Sequence, residues 1–206
     1  MHDASEPRYR AIVTVSSAPQ TLEAATRLAE LSEAPDDTDN PIPACVAVLL
    51  ASALAQGIHT RLRTEAHQQA FQTSTAIEDT DPWRLSLQNV AFRKKLLELP
   101  RVCSLGRFAL RPDSLHVQAL ENLVTLRNRL VHIEEEPSEL AGVEVQVDAS
   151  GARSLEIQVP VPKNPWLAVR LPEAHKFRTA VTTYFDQVLD VSAENYVEGE
   201  LLRRSP

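Results

Sequence analysis

The sequence predicts a mainly α-helical fold, an antiparallel bundle of four to five helices with a small β-hairpin inserted between the last two helices. Three observations predict it. Apolar residues recur at helical spacing in several segments, 14 prolines against 5 glycines favour helices bounded by proline-marked loops, and one pair of neighbouring segments alternates as a hairpin does. At 206 residues, 43% hydrophobic and 24% charged, the chain has the size and composition of one globular domain. We therefore expect residues 1–206 to form a single helical domain.

The N-terminal third contains a possible strand and two predicted helices. Tyr9–Val15 is a short β-like run. Thr21–Glu33 is predicted to be helical because, after Pro19, apolar residues recur at helical spacing. Ala44–Phe71 is predicted to be the longest helix, since it is apolar nearly all round through Leu54 and amphipathic beyond it. Such a helix belongs at the centre of a core.

The middle of the chain predicts two further helices. Thr73–Pro82 is expected to be a loop, and Leu85–Leu99 a basic amphipathic helix. Pro100–Pro112 is expected to be irregular. The next helix, Asp113–Ile133, is expected to begin at a cap supplied by Asp113 or Ser114 and to pack against the long central helix.

The C-terminal part predicts a hairpin, a loop and a closing helix. Val143–Val147 and Leu155–Val159 alternate around a polar, glycine-containing turn, so residues 143–159 are predicted to form an inserted β-hairpin outside the bundle. Pro160–Pro172 holds four prolines, too many for a helix. Glu173–Val191 is predicted to close the bundle, and the tail at residues 192–206 to be peripheral.

The segment most informative about function is the end of the fifth predicted element, where Arg127 is followed by Asn128 and, after three more residues, by His132. An arginine offers a planar fork of donors that matches phosphate oxygens, and a histidine titrates near neutrality and can transfer a proton. Similar spacings occur at Arg61…His67, Arg111…His116 and Arg170…His175. In those three pairs the arginine is followed by leucine or proline, whereas Arg127 is followed by a polar residue.

A helical wheel sharpens this interpretation and also limits it. Arg127 falls in the middle of the apolar arc, which begins at Leu115, so it should be desolvated and need an anion, whereas Asn128 and His132 share the polar edge. Five helical steps place Arg127 and His132 about 140° apart, so they converge only if the helix unwinds or a second copy contributes. From the residues alone, an arginine paired with a carboxylate of another helix, beside a solvated histidine, is the favoured interpretation.

The run Leu126–His132 resembles the signature of the HEPN superfamily, small helical domains with an arginine, a polar residue and a histidine four to six positions after the arginine. The resemblance implies a motif near the end of a late helix and a homodimer in which both motifs line one cleft. It implies catalytic roles for Arg127, Asn128 and His132 without a metal. It also implies a ribonuclease of toxin–antitoxin or defence systems, often with a minimal nucleotidyltransferase as antitoxin. The acidic run Glu134–Glu136 departs from this, because it would repel a phosphate backbone.

Three functional hypotheses follow. The leading one is an HEPN-like, metal-independent endoribonuclease acting as a homodimer. The second is a non-catalytic HEPN-like module that binds RNA, a nucleotide or a protein, since other members of the superfamily have lost activity. The third is a helical interaction protein in which the motif is a coincidence. The net charge of −7 argues against an indiscriminate nucleic-acid binder, although a local RNA cleft remains compatible with it.

Basic residues before and within the motif helix are the candidate RNA contacts, with a solvated surface as the alternative for each. They are Arg93, Lys94, Lys95, Arg107 and Arg129. His59, Arg63 and His67 are neighbours on the long helix, but they lack a third metal ligand at suitable spacing, so a solvated face is the favoured interpretation. We expect no metal site and no cofactor.

The remaining features indicate a cytoplasmic protein. Cys45 and Cys103 form no C-x-x-C pair and are expected to be small, reduced hydrophobic residues. Met1–Pro7 lacks the apolar core of a signal peptide. The longest apolar run, Ala44–Ala55, is too short to span a bilayer, so we expect a buried helix and no membrane association.

Overall fold

The computed structural model describes residues 16–31, 40–131, 142–147, 153–158 and 165–205. This part of the chain is mainly helical with two small antiparallel sheets, which confirms the predicted fold class. Its helices are α1 (Ala18–Leu31), α2 (Ile42–Thr73), α3 (Asp81–Ser86), α4 (Phe92–Cys103), α5 (Leu115–Val131) and α6 (Leu171–Tyr184). Its strands are β1 (Phe108–Leu110), β2 (Gly142–Val147), β3 (Arg153–Gln158) and β4 (Leu202–Arg204).

Helix α2 is the centre of the bundle and contacts α1, α3, α4, α5 and α6. It begins where the Asn40 Oδ1 atom accepts a hydrogen bond from the Ile42 amide (2.9 Å) and ends at Ser74, whose φ of 54° is left-handed. The predicted core helix Ala44–Phe71 is therefore confirmed. Within the described ranges, α2 alone has the length and composition to cross a membrane. Half of the most apolar 18-residue stretch of α2 is buried in the protein, and the core helices of soluble proteins can be equally long and apolar.

Gly57 allows α2 to approach the end of α6 closely. Helix α6 continues into a π-helical turn, Phe185–Leu189. A Cβ atom on Gly57 would lie 2.7 Å from the Leu189 Cδ1 atom and 3.1 Å from the Phe185 Cζ atom. The absence of a side chain at Gly57 is therefore what permits this contact.

The prediction of one continuous helix at Leu85–Leu99 is wrong, because the chain forms two helices with a break at residues 87–91. The first, α3, begins inside the predicted loop, where the Thr80 hydroxyl accepts a hydrogen bond from the Trp83 amide. It ends at Ser86, whose hydroxyl donates to the Trp83 carbonyl (2.7 Å) and whose carbonyl accepts from Lys95 Nζ (3.2 Å). These bonds occupy groups that a continuing helix would use.

The expectation of irregular structure from Pro100 onward is also wrong, since α4 runs through Pro100 to Cys103. A proline inside a helix has no N–H to give to the carbonyl four residues earlier, here that of Leu96. The hydroxyl of Tyr184, a fully buried residue of α6, donates to this Leu96 carbonyl instead (2.9 Å). A long-range hydrogen bond thus replaces the one that Pro100 cannot make.

The C-terminal tail is not peripheral, contrary to the prediction. Leu201 and Leu202 are buried, and β4 pairs antiparallel with β1. The Tyr196 ring stacks on Phe108 (centroids 6.1 Å apart), and its hydroxyl donates to the Val188 carbonyl (2.7 Å). Short-range periodicity does not reveal this docking, because the partners lie far away in sequence.

The inserted hairpin is confirmed. Strands β2 and β3 pair antiparallel from Gly142 opposite Gln158 to Val147 opposite Arg153, between α5 and α6 in the chain. The strand predicted at Tyr9–Val15 lies outside the described residues.

Candidate functional site

Helix α5 carries the motif and begins at the predicted cap. The Ser114 hydroxyl oxygen accepts a hydrogen bond from the His116 amide (3.2 Å). The helix buries a stripe made of Val117, Leu120, Leu123 and Leu130. Leu115 does not belong to the apolar arc as predicted: it precedes the first buried turn and its side chain is 79% exposed.

The C-terminal turns of α5 are anchored near the start of α2. Leu130 is buried in a small cluster with Ala44 and Val169, and Leu126 and Trp166 pack against that cluster. The backbone that carries Arg127 is therefore fixed on both sides by apolar contacts.

Arg127 is half-buried, as its place between these apolar residues requires. Its Nη1 atom donates to the Oδ1 atom of Asn128 (3.2 Å). Asn128 and Arg129 are exposed. Among the described residues no carboxylate lies within ion-pair distance of Arg127, so none of them neutralises its guanidinium. The expected pairing with a carboxylate of another helix is not found in this part of the chain.

The other members of the motif region lie outside the described residues. These are His132 and Ile133, together with the acidic run Glu134–Glu136. The predicted role of His132 and the predicted repulsion by the acidic run therefore remain predictions.

The residues predicted to contact RNA differ in whether other groups of the protein already bind their side chains. Arg93 of α4 binds Glu121 of α5 through two nitrogens, with its Nε and Nη2 atoms 2.9 and 2.8 Å from Oε1. Lys95 donates to the Ser86 carbonyl, and Arg107 Nε donates to the Ser104 carbonyl (3.0 Å). Lys94 and Arg129 are exposed. The pairing with a carboxylate of another helix, which was expected for Arg127, is thus observed for Arg93 instead.

Arg63 is not part of a simply solvated face, contrary to the prediction. Its guanidinium carbon lies 3.8 Å from the centre of the Trp83 ring, and its Nε atom is buried without a hydrogen-bond partner. Its neighbour His59 is exposed on the same helix. The sequence signal that could have revealed this contact is weak, since it consists only of an aromatic residue 20 positions away.

Arg61 belongs to a buried polar group that fixes the tail. It pairs with Glu65 (2.8 Å), and its Nη2 atom donates to the Val191 carbonyl (2.9 Å). Burial, and next the Glu65 carboxylate, raise the pKa of the adjacent Cys103 thiol to about 11. A thiol with this pKa is protonated near neutrality and is a poor nucleophile. The group is structural.

A shallow groove of about 400 Å³ lies between α1 and the end of α6. Among the described residues, its charged lining is Glu23, Asp186, Asp190 and one cation, Arg178. Burial and the neighbouring Asp186 raise the pKa of the Asp190 carboxyl. Of the predicted catalytic and RNA-binding residues that the structure describes, none lines this groove, and the charge of its lining disfavours a phosphate backbone.

Comparisons with protein-family models, with curated proteins and with solved structures find no match. In the described ranges, no group of three or more histidine, cysteine, aspartate or glutamate side chains is placed to hold a metal ion. The resemblance to the HEPN superfamily therefore depends on the motif residues and on the helical architecture.

Proposed function

We propose that the protein is an HEPN-like, metal-independent endoribonuclease of a toxin–antitoxin or defence system. One observation carries the proposal: Arg127 is held near the end of α5, half-buried, and its guanidinium donates to an amide oxygen rather than to any carboxylate of the described residues. A desolvated, uncompensated arginine favours an anionic ligand, and a phosphodiester matches its donor geometry.

In the proposed reaction, Arg127 binds the non-bridging oxygens of the scissile phosphate and stabilises the charge that develops on them. His132 removes the proton of the ribose 2′-hydroxyl, and the 2′-oxygen forms a bond to phosphorus. The bond from phosphorus to the 5′-oxygen breaks, and His132 of the second protomer protonates that oxygen. Asn128 orients the Arg127 guanidinium through the hydrogen bond already present. The products are a 2′,3′-cyclic phosphate and a 5′-hydroxyl.

The proposal includes a two-fold homodimer. Arg127 and His132 are five residues apart, about 140° on a regular helix, so in a helix that does not unwind one copy alone would not bring both to one phosphate. A symmetric contact along the end of α5 would place the two motifs face to face. Val131 is exposed there and supplies apolar surface for the contact. A minimal nucleotidyltransferase as antitoxin and a cytoplasmic location belong to the same proposal, by family analogy.

A second candidate function is a non-catalytic module that binds RNA or a nucleotide. The ion pair between Arg93 and Glu121 favours it, because that pair removes one cation from an already short basic surface. In this case Arg127 holds a phosphate group without cleaving a bond.

An RNA-cleavage assay with analysis of the product ends tests the proposal. Wild-type protein should cleave a pool of cellular RNAs in excess EDTA, because the proposed steps use only side chains. Arg127→Ala and His132→Ala should each lower the rate by roughly 10²–10⁴-fold with unchanged helical content. Arg27→Ala, an exposed arginine of α1, and His67→Ala should cleave like the wild type.

The outcomes separate the two functions. If wild-type protein binds RNA through Arg127 but releases no cyclic-phosphate ends, the binding module replaces the enzyme. If neither binding nor cleavage depends on Arg127, both proposals fail.

A further inference from the structure

A basic cluster from two helices lies near Trp83, made of His59 and Arg63 of α2 and Lys95 of α4. His59 and Arg63 are four residues apart on α2 and so share one face of that helix. Arg63 covers the Trp83 ring at 3.8 Å, and Lys95 of α4 reaches the carbonyl of Ser86, the last residue of α3. Arg63 and Lys95 are close enough to repel each other, and both disfavour the protonated form of His59. Burial and then Arg63 lower the pKa of Lys95, and burial, Arg63 and Lys95, in that order, lower the pKa of His59.

Two neighbouring arginines form ion pairs with carboxylates of this region, but these carboxylates do not pair with His59, Arg63 or Lys95. Arg61 pairs with Glu65 on the same helix as Arg63. Arg84, adjacent in sequence to Trp83, pairs with Asp79 and Asp81. In contrast, no carboxylate of the described residues lies within 4 Å of His59, Arg63 or Lys95.

Hydrogen bonding is also incomplete at this position. The Nε atom of Arg63 is buried and has no acceptor. The only acceptor at the Lys95 ammonium among the described residues is one neutral carbonyl. A buried donor without an acceptor costs about 1–3 kcal/mol, and uncompensated cations add to that cost. A single group with several anionic oxygens would supply the missing charge and further acceptors for the Lys95 ammonium.

We propose that His59, Arg63 and Lys95 form a binding site for a phosphoryl group, with Trp83 holding the Arg63 guanidinium flat against its ring. Arginine and lysine are the usual protein ligands of phosphate oxygens, and stacking restricts the arginine before the ligand binds. The same chemistry is offered by a free phosphorylated small molecule and by an RNA backbone.

The site is distinct from the motif of α5. Arg63 follows Ala44, which clusters with Leu130, by 19 residues, or about 28 Å along α2 at the helical rise. The inference therefore does not depend on RNA cleavage and remains open to test in a protein without activity.

Calorimetric titration with sodium pyrophosphate at constant ionic strength tests the proposal, with the imidazole NMR resonances of His59 as a local reporter. We expect saturable binding that shifts these resonances. Arg63→Gln and Lys95→Gln should each weaken binding by at least about tenfold, the loss of one charge-assisted hydrogen bond, whereas Lys95→Arg should retain it. Arg84→Gln is the matched control, since it removes a neighbouring arginine that already has carboxylate partners.

Thermal unfolding of each variant reports folding separately from binding. The proposal is overturned if pyrophosphate leaves the His59 resonances unchanged, or if Arg84→Gln weakens binding as much as Arg63→Gln does. A second arm identifies the source of the phosphoryl group. Competition by a short RNA that depends on Arg63 indicates the RNA backbone, and pyrophosphate binding that RNA does not displace indicates a small phosphorylated ligand.

Discussion

Replacing Tyr184 with phenylalanine tests how α4 tolerates a proline in its interior. Pro100 cannot donate to the Leu96 carbonyl, and the Tyr184 hydroxyl donates to it at 2.9 Å. Tyr184 is fully buried, and burial raises its pKa well above the usual value, so the hydroxyl stays a donor at any ordinary pH. Tyr184→Phe keeps the ring and leaves the Leu96 carbonyl buried without a donor.

The expected cost follows from that unsatisfied carbonyl. Leaving a buried acceptor unpaired costs about 1–3 kcal/mol of unfolding free energy. For a domain of this size, each 1 kcal/mol lowers Tm by about 2–4 °C. Pro100→Ala restores the missing backbone N–H, which then donates to the Leu96 carbonyl in the ordinary helical manner. In the Pro100→Ala background, Tyr184→Phe should therefore cost less than about 1 kcal/mol, because the carbonyl keeps a partner.

Urea unfolding followed by far-ultraviolet circular dichroism measures all four proteins of this double-mutant cycle. The cycle cancels the effect of Pro100→Ala on the unfolded chain, which a single comparison would include. Distant, independent substitutions add to within about 0.5 kcal/mol. If the cost of Tyr184→Phe is the same in both backgrounds within that margin, the hydroxyl is not replacing the bond that Pro100 lacks.

Three further substitutions or treatments test the packing. Gly57→Ala should lower unfolding free energy by about 1–3 kcal/mol in the same urea assay, because the new Cβ atom would lie 2.7 Å from Leu189; unchanged or higher stability would contradict the close contact. Leu201→Ala should cost about 2–5 kcal/mol, since the side chain is fully buried, whereas a peripheral tail would lose almost nothing. Cys103 should resist iodoacetamide at pH 8 until urea unfolds the protein, because its pKa is about 11. Mass spectrometry measures the labelling, and rapid labelling of Cys103 in the native protein would refute this prediction.

The parts of the fold predicted from sequence are those determined by local periodicity. Helix α2 is apolar along most of its length, α5 has apolar residues at helical spacing, and the hairpin strands alternate between apolar and polar residues. Each was therefore predicted near its observed bounds. The break at residues 87–91, the helix through Pro100 and the docked tail were not. The last two depend on a hydrogen bond or a strand pairing with a distant segment, such as Tyr184 to Leu96, 88 residues apart. The break depends on side-chain hydrogen bonds, such as that of Lys95 to the Ser86 carbonyl, which helical periodicity does not encode. No pattern within one segment carries that information.

The candidate site, too, was predicted from the sequence only in part. The wheel placed Arg127 among apolar residues, and it is half-buried there. What the wheel cannot give is the partner of each charge. Arg93 meets Glu121 from 28 positions away, and Arg63 meets Trp83 from another helix. Position on a helix follows from spacing, whereas pairing between helices follows from packing that only the folded chain determines.

Pairing is also what separates structural cations from candidate ligands in this protein. Arg61 and Arg93 are each paired with a carboxylate, so replacing either would leave Glu65 or Glu121 without its cationic partner. Arg63 and Arg127 are partly buried, yet in the described part of the chain each meets only a neutral group, an indole ring and an amide oxygen. Since burial of a charge is costly without an anion, we expect the fold to gain stability at these two positions if the proposed phosphate group binds. That gain makes ligand binding measurable as a rise in Tm at either site, whether or not any bond is cleaved.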